Sequence, residues 1–184
     1  MPQLKESYKM KCFHGTTKKG LNAILNAEGY KPNSPWTVSD NDGAMYLWPQ
    51  NKLEDQHDFE ENDQMICHAF ESAEIQAVIE DTTEIFVLEM EVPDELLQDD
   101  FSCDNMADVA SFIETGQFNK DMIVKVYTCK LNRWNAPFII ASLLNNPNFN
   151  QWAVDEDLLE LAETLQGADF YRDPTEFDFV EYTL

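Results

Sequence analysis

A chain of 184 residues with 43% apolar and 12% aromatic residues is long and apolar enough to build a hydrophobic core, and we expect one domain over residues 1–184. Its formal net charge of −23 argues against direct binding of nucleic acid or of an anionic membrane surface, because like charges repel. No apolar run approaches the roughly 18 residues of a membrane span and the polar start does not resemble a signal peptide, so we expect a cytoplasmic monomer.

The charge is distributed unevenly along the chain. Residues 1–31 contain six lysines and two glutamates, a formal charge of +4, which leaves −27 for residues 32–184. A small anionic ligand is therefore expected to bind near the N-terminal segment. The acidic remainder suits docking to a basic partner protein, mimicry of a phosphate backbone, or solubility alone.

Two strands and a helix are predicted in the first quarter of the chain. Apolar residues alternate with lysines over Lys9–Phe13, which indicates a strand. Thr16 or Thr17 can cap a helix over Lys18–Ala27, and the glycine two residues later ends it. A turn-rich stretch follows, and Ala44–Trp48 is a second short strand.

The middle of the chain alternates between polar and strongly apolar segments. The polar residues Asn51–Asp63 indicate an exposed loop or the start of a helix, and Gln64–Glu80 has apolar residues at helical spacing. Glu84–Val92 is a predicted strand that ends at proline. Asp104–Glu114 is predicted as a helix that ends before Gly116.

The last third adds two strands and two helices. We predict strands over Met122–Leu131 and Thr175–Thr183, and helices over Ala136–Leu144 and Asp155–Leu165. Because strands and helices do not alternate regularly, the pattern favours an α+β fold over a doubly wound sheet.

Two segments of the N-terminal quarter carry a recognisable motif. The sequence Phe13-His14-Gly15-Thr16-Thr17 ends a predicted strand before a helix, and Gly43-Ala44-Met45-Tyr46-Leu47-Trp48 follows about 30 residues later. This arrangement resembles the His–Tyr–Glu branch of the ADP-ribosyltransferase superfamily over roughly residues 10–80. The resemblance implies a split, mixed β-sheet core with flanking helices, and NAD as co-substrate.

The resemblance also implies roles for individual residues. His14 would hydrogen-bond a ribose hydroxyl, the main chain of Gly15 would hold the nicotinamide amide, and Tyr46 would stack on the nicotinamide ring. Trp48 departs from the family pattern, where a small hydroxyl residue is commoner, and would narrow the nicotinamide end of the cleft. Supporting contacts to NAD are expected from Thr16, Ser39, Lys18 and Lys19.

The third catalytic group of this family is a carboxylate. It stabilises the oxocarbenium-like ribose that forms as nicotinamide departs. Glu176 is our first assignment, because it opens a predicted C-terminal strand in a segment that resembles the ends of several small transferases. Glu114, Glu181 and Glu91 remain alternatives.

Two functions follow from these features. The first is an NAD-dependent ADP-ribosyltransferase whose acidic surface docks a basic protein target, such as a protein of a nucleic-acid-binding complex. The second is a non-enzymatic acidic inhibitor that mimics nucleic acid and blocks a basic cleft.

The four cysteines do not indicate a disulfide framework. Cys12, Cys67, Cys103 and Cys129 are widely spaced, without a CxxC pair, and are interpreted as reduced thiols. A zinc site from Cys67, His68 and His57 matches no common spacing, so no metal is expected.

Overall fold

The structure is a computed structural model that describes residues 8–26, 44–54, 65–100, 110–147 and 149–184. Within these ranges the chain forms seven strands and five α-helices. The strands are β1 (Lys9–Thr17), β2 (Ala44–Pro49), β3 (Glu84–Pro93), β4 (Gln98–Asp99), β5 (Ser111–Glu114), β6 (Ile123–Lys130) and β7 (Val180–Glu181). The helices are α1 (Lys18–Asn26), α2 (Gln50–Glu54), α3 (Met65–Ile79), α4 (Ala136–Leu143) and α5 (Glu156–Thr164).

All seven strands belong to one sheet in the order β4-β5-β2-β1-β3-β6-β7. Every pairing between neighbours is antiparallel. The predicted α+β class is confirmed, whereas the predicted mixed sheet is wrong. The reason lies in the central pair: β1 and β3 run antiparallel and pair over the full length of β1, so the sheet grows from them without a parallel crossover.

The sheet divides between β1 and β2. These strands pair only at Cys12–Pro49 and Phe13–Trp48. Beyond Phe13, β1 continues beside β3 to Thr17, while the first four residues of β2 pair with β5. The C-terminal end of β1 and the N-terminal end of β2 therefore form a fork between two halves of the sheet.

Helix α3 covers one face of the central strands. Phe13 of β1 and the pair Ile85 and Val87 of β3 pack against it, together with the fully buried Phe70 of the helix. Full burial of one such side chain stabilises the fold by about 1.5–3 kcal/mol. The helix predicted over Gln64–Glu80 is confirmed, since α3 spans Met65–Ile79.

Helix α1 covers the opposite face. Leu21 and Ile24 of α1 pack on Cys12 of β1 and Leu88 of β3, all of them buried. Thr17 supplies the predicted N-cap, because its Oγ accepts a hydrogen bond from the backbone N–H of Gly20 at 3.3 Å. The cap fixes where the strand ends and the helix begins.

Helices α4 and α5 form a third apolar cluster beside α3. Ile140 of α4, Ala162 of α5 and Ile75 of α3 are buried together. Asp155 caps α5, because its side chain accepts a hydrogen bond from Leu158 N–H at 3.3 Å. Both helices match the predicted ranges to within one or two residues.

The helix predicted over Asp104–Glu114 is wrong in the part that the structure describes. Ser111–Glu114 form β5, in which Ser111 and Ile113 are buried and Glu114 is exposed. This strand pairs with β2 on one side and with β4 on the other, so its backbone groups are satisfied by two neighbouring strands. Residues 101–109 lie outside the described part.

The predicted strand over Thr175–Thr183 is also wrong for most of its length. Pro174–Glu176 form a short 3-10 turn, and only Val180–Glu181 pair with β6. Phe177 and Phe179 do point the same way, as predicted, and each makes an edge-to-face contact with Phe70 of α3. These rings pack on α3, and the segment before Val180 forms no strand pairing with β6.

Candidate functional site

His14 stands at the fork between the two halves of the sheet. Its Nδ1 lies 2.7 Å from the carbonyl oxygen of Tyr46, across the gap where β1 and β2 no longer pair. A carbonyl only accepts hydrogen bonds, so Nδ1 carries the proton and donates it. The side chain thus closes the base of the fork in place of a backbone hydrogen bond.

The protonation state of the second ring nitrogen of His14, Nε2, follows from that of Nδ1. Burial lowers the pKa of His14 below its ordinary value of 6.5, against the opposing effect of the hydrogen bond to Tyr46. The ring is therefore neutral near pH 7, and Nε2 is an acceptor. Nε2 is shielded from solvent and makes no hydrogen bond to the described residues. The described part of the chain therefore supplies no donor for this buried nitrogen.

Tyr46 and Trp48 lie on the α3 side of β2. Their neighbours Met45 and Leu47 belong to the core under α1, and side chains alternate along a strand. The Tyr46 ring lies 6.2 Å from the ring of Phe112 on β5, and Trp48 stacks on His68 of α3 at 5.4 Å. His14 and Tyr46 are thus brought together through the carbonyl of Tyr46, with their rings toward different faces.

Gly15 has a packing reason to be glycine. A Cβ at this position would overlap the carbonyl oxygen of Ala69 and approach the Ala73 side chain to 3.1 Å. Helix α3 therefore crosses β1 directly over Gly15, and no other residue fits without a shift. This requirement exists whether or not a ligand binds at the Gly15 main chain.

The hydroxyl and lysine residues predicted around NAD lie at the junction of β1 and α1. Thr16 is buried beside Gly20. The ammonium of Lys18 donates to the Tyr182 hydroxyl at 2.7 Å and lies 4.9 Å from the Phe86 ring centroid. Lys19 is exposed and, with Lys18, lines an open cavity of about 560 Å³. Ser39 lies outside the described residues.

Glu176 lies on the α3 side of the sheet, beyond β6. Its two carboxylate oxygens accept hydrogen bonds from the side-chain amides of Asn132 at 2.8 Å and Asn135 at 2.7 Å. Arg172 approaches to 4.0 Å. The described contacts of Glu176 are with these residues and with Cys129, and none is with His14 or Tyr46.

The alternative glutamates occupy three different places. Glu91 pairs with Lys9 at 3.6 Å on an exposed part of the sheet, and Glu181 pairs with Lys125 at 3.6 Å at the β7 edge. Glu114 is exposed on β5, two residues from Phe112, which stands opposite Tyr46. Among the four candidates, Glu114 is the one on the strand next to β2, which carries Tyr46.

An ionic cluster around Arg172 was not predicted. The guanidinium makes two hydrogen bonds to the buried Glu74, at 2.5 and 2.6 Å, and lies 3.3 Å from Glu71. Burial raises the pKa of Glu74 to about 7 in spite of Arg172, because desolvation disfavours the carboxylate. Arg172 and Glu74 are 98 residues apart, so no local sequence pattern could indicate the pair.

In the described part of the chain, the cysteines and other potential metal-ligating side chains do not form a further candidate site. Cys12 and Cys129 are buried thiols and Cys67 is half-buried, while Cys103 lies outside that part. Burial raises the pKa of Cys12 to about 12, so this thiol is unreactive. No group of three or more His, Cys, Asp or Glu side chains among the described residues is arranged to hold a metal ion.

No family model, no curated protein and no solved structure matches the chain. Among the described helices, none has the length and apolar character needed to cross a bilayer.

Proposed function

We propose that the chain is an NAD-dependent ADP-ribosyltransferase that acts on a basic protein target in the cytoplasm. The observation that carries this proposal is the state of His14. Its Nδ1 is fixed by the Tyr46 carbonyl, and its buried Nε2 is an acceptor that the described residues leave without a donor. A ribose hydroxyl of NAD is such a donor, and it is the partner that the sequence motif implies for this histidine.

The fork offers a place for the rest of the dinucleotide. Its open end lies between the start of α1, which follows β1 directly, and the start of β2. The positive end of the α1 helix dipole and the exposed ammonium of Lys19 favour an anion such as the pyrophosphate of NAD. The positive formal charge of residues 1–31 also favours binding of an anion.

In the proposed reaction the bond between nicotinamide and the ribose C1′ breaks, and nicotinamide leaves with the electron pair. A nucleophile of the target protein then forms a bond to C1′, and its proton passes to solvent. The chain's own contribution is to orient the ribose through His14 and to place a carboxylate near the developing positive charge.

Position supports Glu114 over Glu176 as that carboxylate. Glu114 is exposed at the end of β5, beside Ala44 of β2 and one strand from the fork, whereas Glu176 lies beyond β6. The side chain of Glu114 is on the Tyr46 face of the sheet, so a ribose that meets both Glu114 and the His14 ring would have to pass through the fork from one face to the other. Both oxygens of Glu176 already accept hydrogen bonds from asparagine amides on the far side of β6. We therefore assign the role to Glu114 and keep Glu176 as the alternative.

The basic target follows from charge. A chain with a formal charge of −23 attracts a basic protein and speeds its diffusional encounter. The same charge favours the second candidate, an inhibitor that mimics nucleic acid and blocks a basic cleft. For that role the packing of Gly15 under α3 is sufficient reason for the glycine, and no turnover of NAD is needed.

Release of nicotinamide from NAD, with and without a basic acceptor protein, separates the two candidates. We expect release by the wild-type chain, a loss of 10²–10³ in rate for Glu114→Gln, and a much smaller loss for the matched Glu176→Gln. Loss of activity in Glu176→Gln alone would restore that residue as the catalytic carboxylate. Absence of nicotinamide release and of NAD binding by the folded wild type would reject the enzyme and leave the inhibitor.

A further inference from the structure

A second cavity, of about 320 Å³, lies between α3, α4 and the segment around Arg172. Ile75, Ile139 and Leu143 form its apolar wall. Its volume is within the range of about 300–1,000 Å³ in which proteins bind ligands. None of its lining residues belongs to the fork at His14, so it is a separate site.

Two glutamates lie on the polar side of this cavity, of which Glu74 is fully hydrogen-bonded and Glu71 is accessible. The buried Glu74 is fully engaged by two hydrogen bonds from Arg172. Glu71 is half-exposed and lies 3.3 Å from Arg172 Nε and 3.7 Å from His68 Nδ1. Both separations exceed good hydrogen-bond distances, so the carboxylate of Glu71 retains acceptor capacity toward the cavity.

The charge balance of the cavity selects a cation. Two carboxylates line it against one guanidinium, and a third carboxylate, that of Glu176, lies 4.0 Å from Arg172. An anionic ligand would have to displace Glu74 from Arg172, because that pair is bidentate and buried. A cationic group instead adds an opposite charge beside Glu71, and the field of the whole chain attracts it.

We propose that this cavity binds the side chain of a lysine or arginine presented by a basic partner protein. The alkyl stem packs on Ile139 and Leu143, and the charged head lies against Glu71. This inference rests on the proposed docking of a basic target and names the contact that receives it. It is independent of how NAD is bound.

The test uses arginine amide acetylated at its α-nitrogen, a single cation that resembles an arginine within a protein, titrated into the full chain at low salt. We expect it to bind, and its uncharged citrulline counterpart to bind at least tenfold more weakly. Equal binding of the two compounds would overturn the proposal, because binding in the cavity would then not depend on the positive charge of the ligand.

Two variant pairs locate the binding. Ser142 lines the cavity from α4 and is exposed, so Ser142→Trp should block it and weaken arginine binding at least tenfold, while Ser142→Ala should not. Glu71→Gln should weaken binding to a similar extent, whereas Glu84→Gln, which removes the same charge from an exposed strand position, should not. Thermal unfolding confirms that each variant folds. Equal binding by Ser142→Trp and Ser142→Ala would overturn the proposal.

Failure of the proposed cation site can be distinguished from failure of the proposed enzyme activity. If the wild type binds NAD but not the arginine compound, the cavity assignment fails and the enzyme stands. If the arginine compound binds at Glu71 and NAD does not bind, the cavity assignment stands and the enzyme fails.

Discussion

The two ring nitrogens of His14 face different requirements. Nδ1 replaces the backbone pairing that β1 and β2 lose at the fork, and Nε2 is left as a buried acceptor. Because burial lowers the pKa of His14 below 6.5, the neutral ring is the stable form near pH 7. A protonated ring would place a second N–H where the described residues offer no acceptor. Stability from this residue is therefore present above pH 6.5 and is lost as the pH falls through the lowered pKa.

Gly15 is the residue at which the packing account makes its sharpest prediction. Gly15→Ala should reduce the free energy of unfolding by more than about 3 kcal/mol, because the new Cβ would collide with the carbonyl of Ala69. Gly116→Ala is the matched control, since a Cβ there meets nothing within 4 Å. Urea denaturation measures both. A Gly15→Ala chain as stable as the control would show that α3 does not cross β1 at this point.

At the scale of elements, Arg172 fastens the C-terminal segment to α3. The guanidinium binds Glu74 and lies 5.5 Å from the Phe177 ring centroid, so ionic and aromatic contacts hold the same stretch. Replacing Arg172 would leave the buried Glu74 without its bidentate partner, and loss of one partner of a buried pair typically costs about 3–5 kcal/mol. Replacing Glu74 should cost less, because Glu71 and Glu176 remain within 4.0 Å of Arg172.

The pH dependence of stability tests this fastening. The pKa of Glu74 is raised from 4.5 to about 7 in the folded chain, so its contribution to stability is present below pH 4.5 and is lost as the pH rises toward 7. The difference in unfolding free energy between the wild type and Glu74→Gln should therefore shift against the wild type by about 3 kcal/mol over that range. Chemical denaturation at several pH values measures it. A difference that does not vary with pH would contradict the raised pKa.

The elements that the sequence predicted are those with strong local signals. Apolar spacing located α3, α4 and α5, and the apolar run Glu84–Val92 located β3. Strand β5 was missed because its four residues carry no clear alternation and are strand-like only beside β2 and β4. The C-terminal strand was predicted too long because Phe177 and Phe179 alternate as in a strand, although their rings pack on α3 instead of a paired edge.

The candidate site was predictable to a similar degree. The motif around His14 and Tyr46 predicted that both residues lie on strands, and they lie on the neighbouring strands β1 and β2, where the His14 ring meets the Tyr46 carbonyl. That the two side chains line one cleft for NAD stays a prediction. It did not predict that Gly15 lies under α3, because a glycine gives no sign of what approaches it. The surroundings of Glu176 depend on Asn132, Asn135 and Arg172, and the two asparagines are 44 and 41 residues away in sequence.

The whole molecule combines a strong negative charge with a sheet that carries cross-strand ion pairs. Lys11 lies 3.3 Å from Glu89 and Lys9 lies 3.6 Å from Glu91. An exposed pair such as Lys9 and Glu91 contributes about 0.2–1 kcal/mol. Repulsion among the remaining acidic groups acts over the whole surface and opposes folding.

Salt should therefore stabilise the chain. Raising the ionic strength from about 0.01 to 0.15 M shortens the Debye length from about 30 to 8 Å, which screens long-range repulsion more than contacts at 3–4 Å. We expect the free energy of unfolding to increase over this range, as followed by urea denaturation. A decrease would mean that the ion pairs outweigh the repulsion that a charge of −23 implies.

The central claim is that the buried Nε2 of His14 receives a hydroxyl of NAD, and calorimetry with three chains tests it most directly. His14→Asn keeps a donor near the Tyr46 carbonyl but removes the acceptor at Nε2, whereas His14→Gln can place an amide oxygen near Nε2 but loses the bond to Tyr46. We expect NAD to bind the wild type, to bind His14→Asn at least tenfold more weakly without loss of stability, and to bind His14→Gln with intermediate affinity. Equal NAD affinity for the wild type and His14→Asn, or no binding to a folded wild type, would contradict the account.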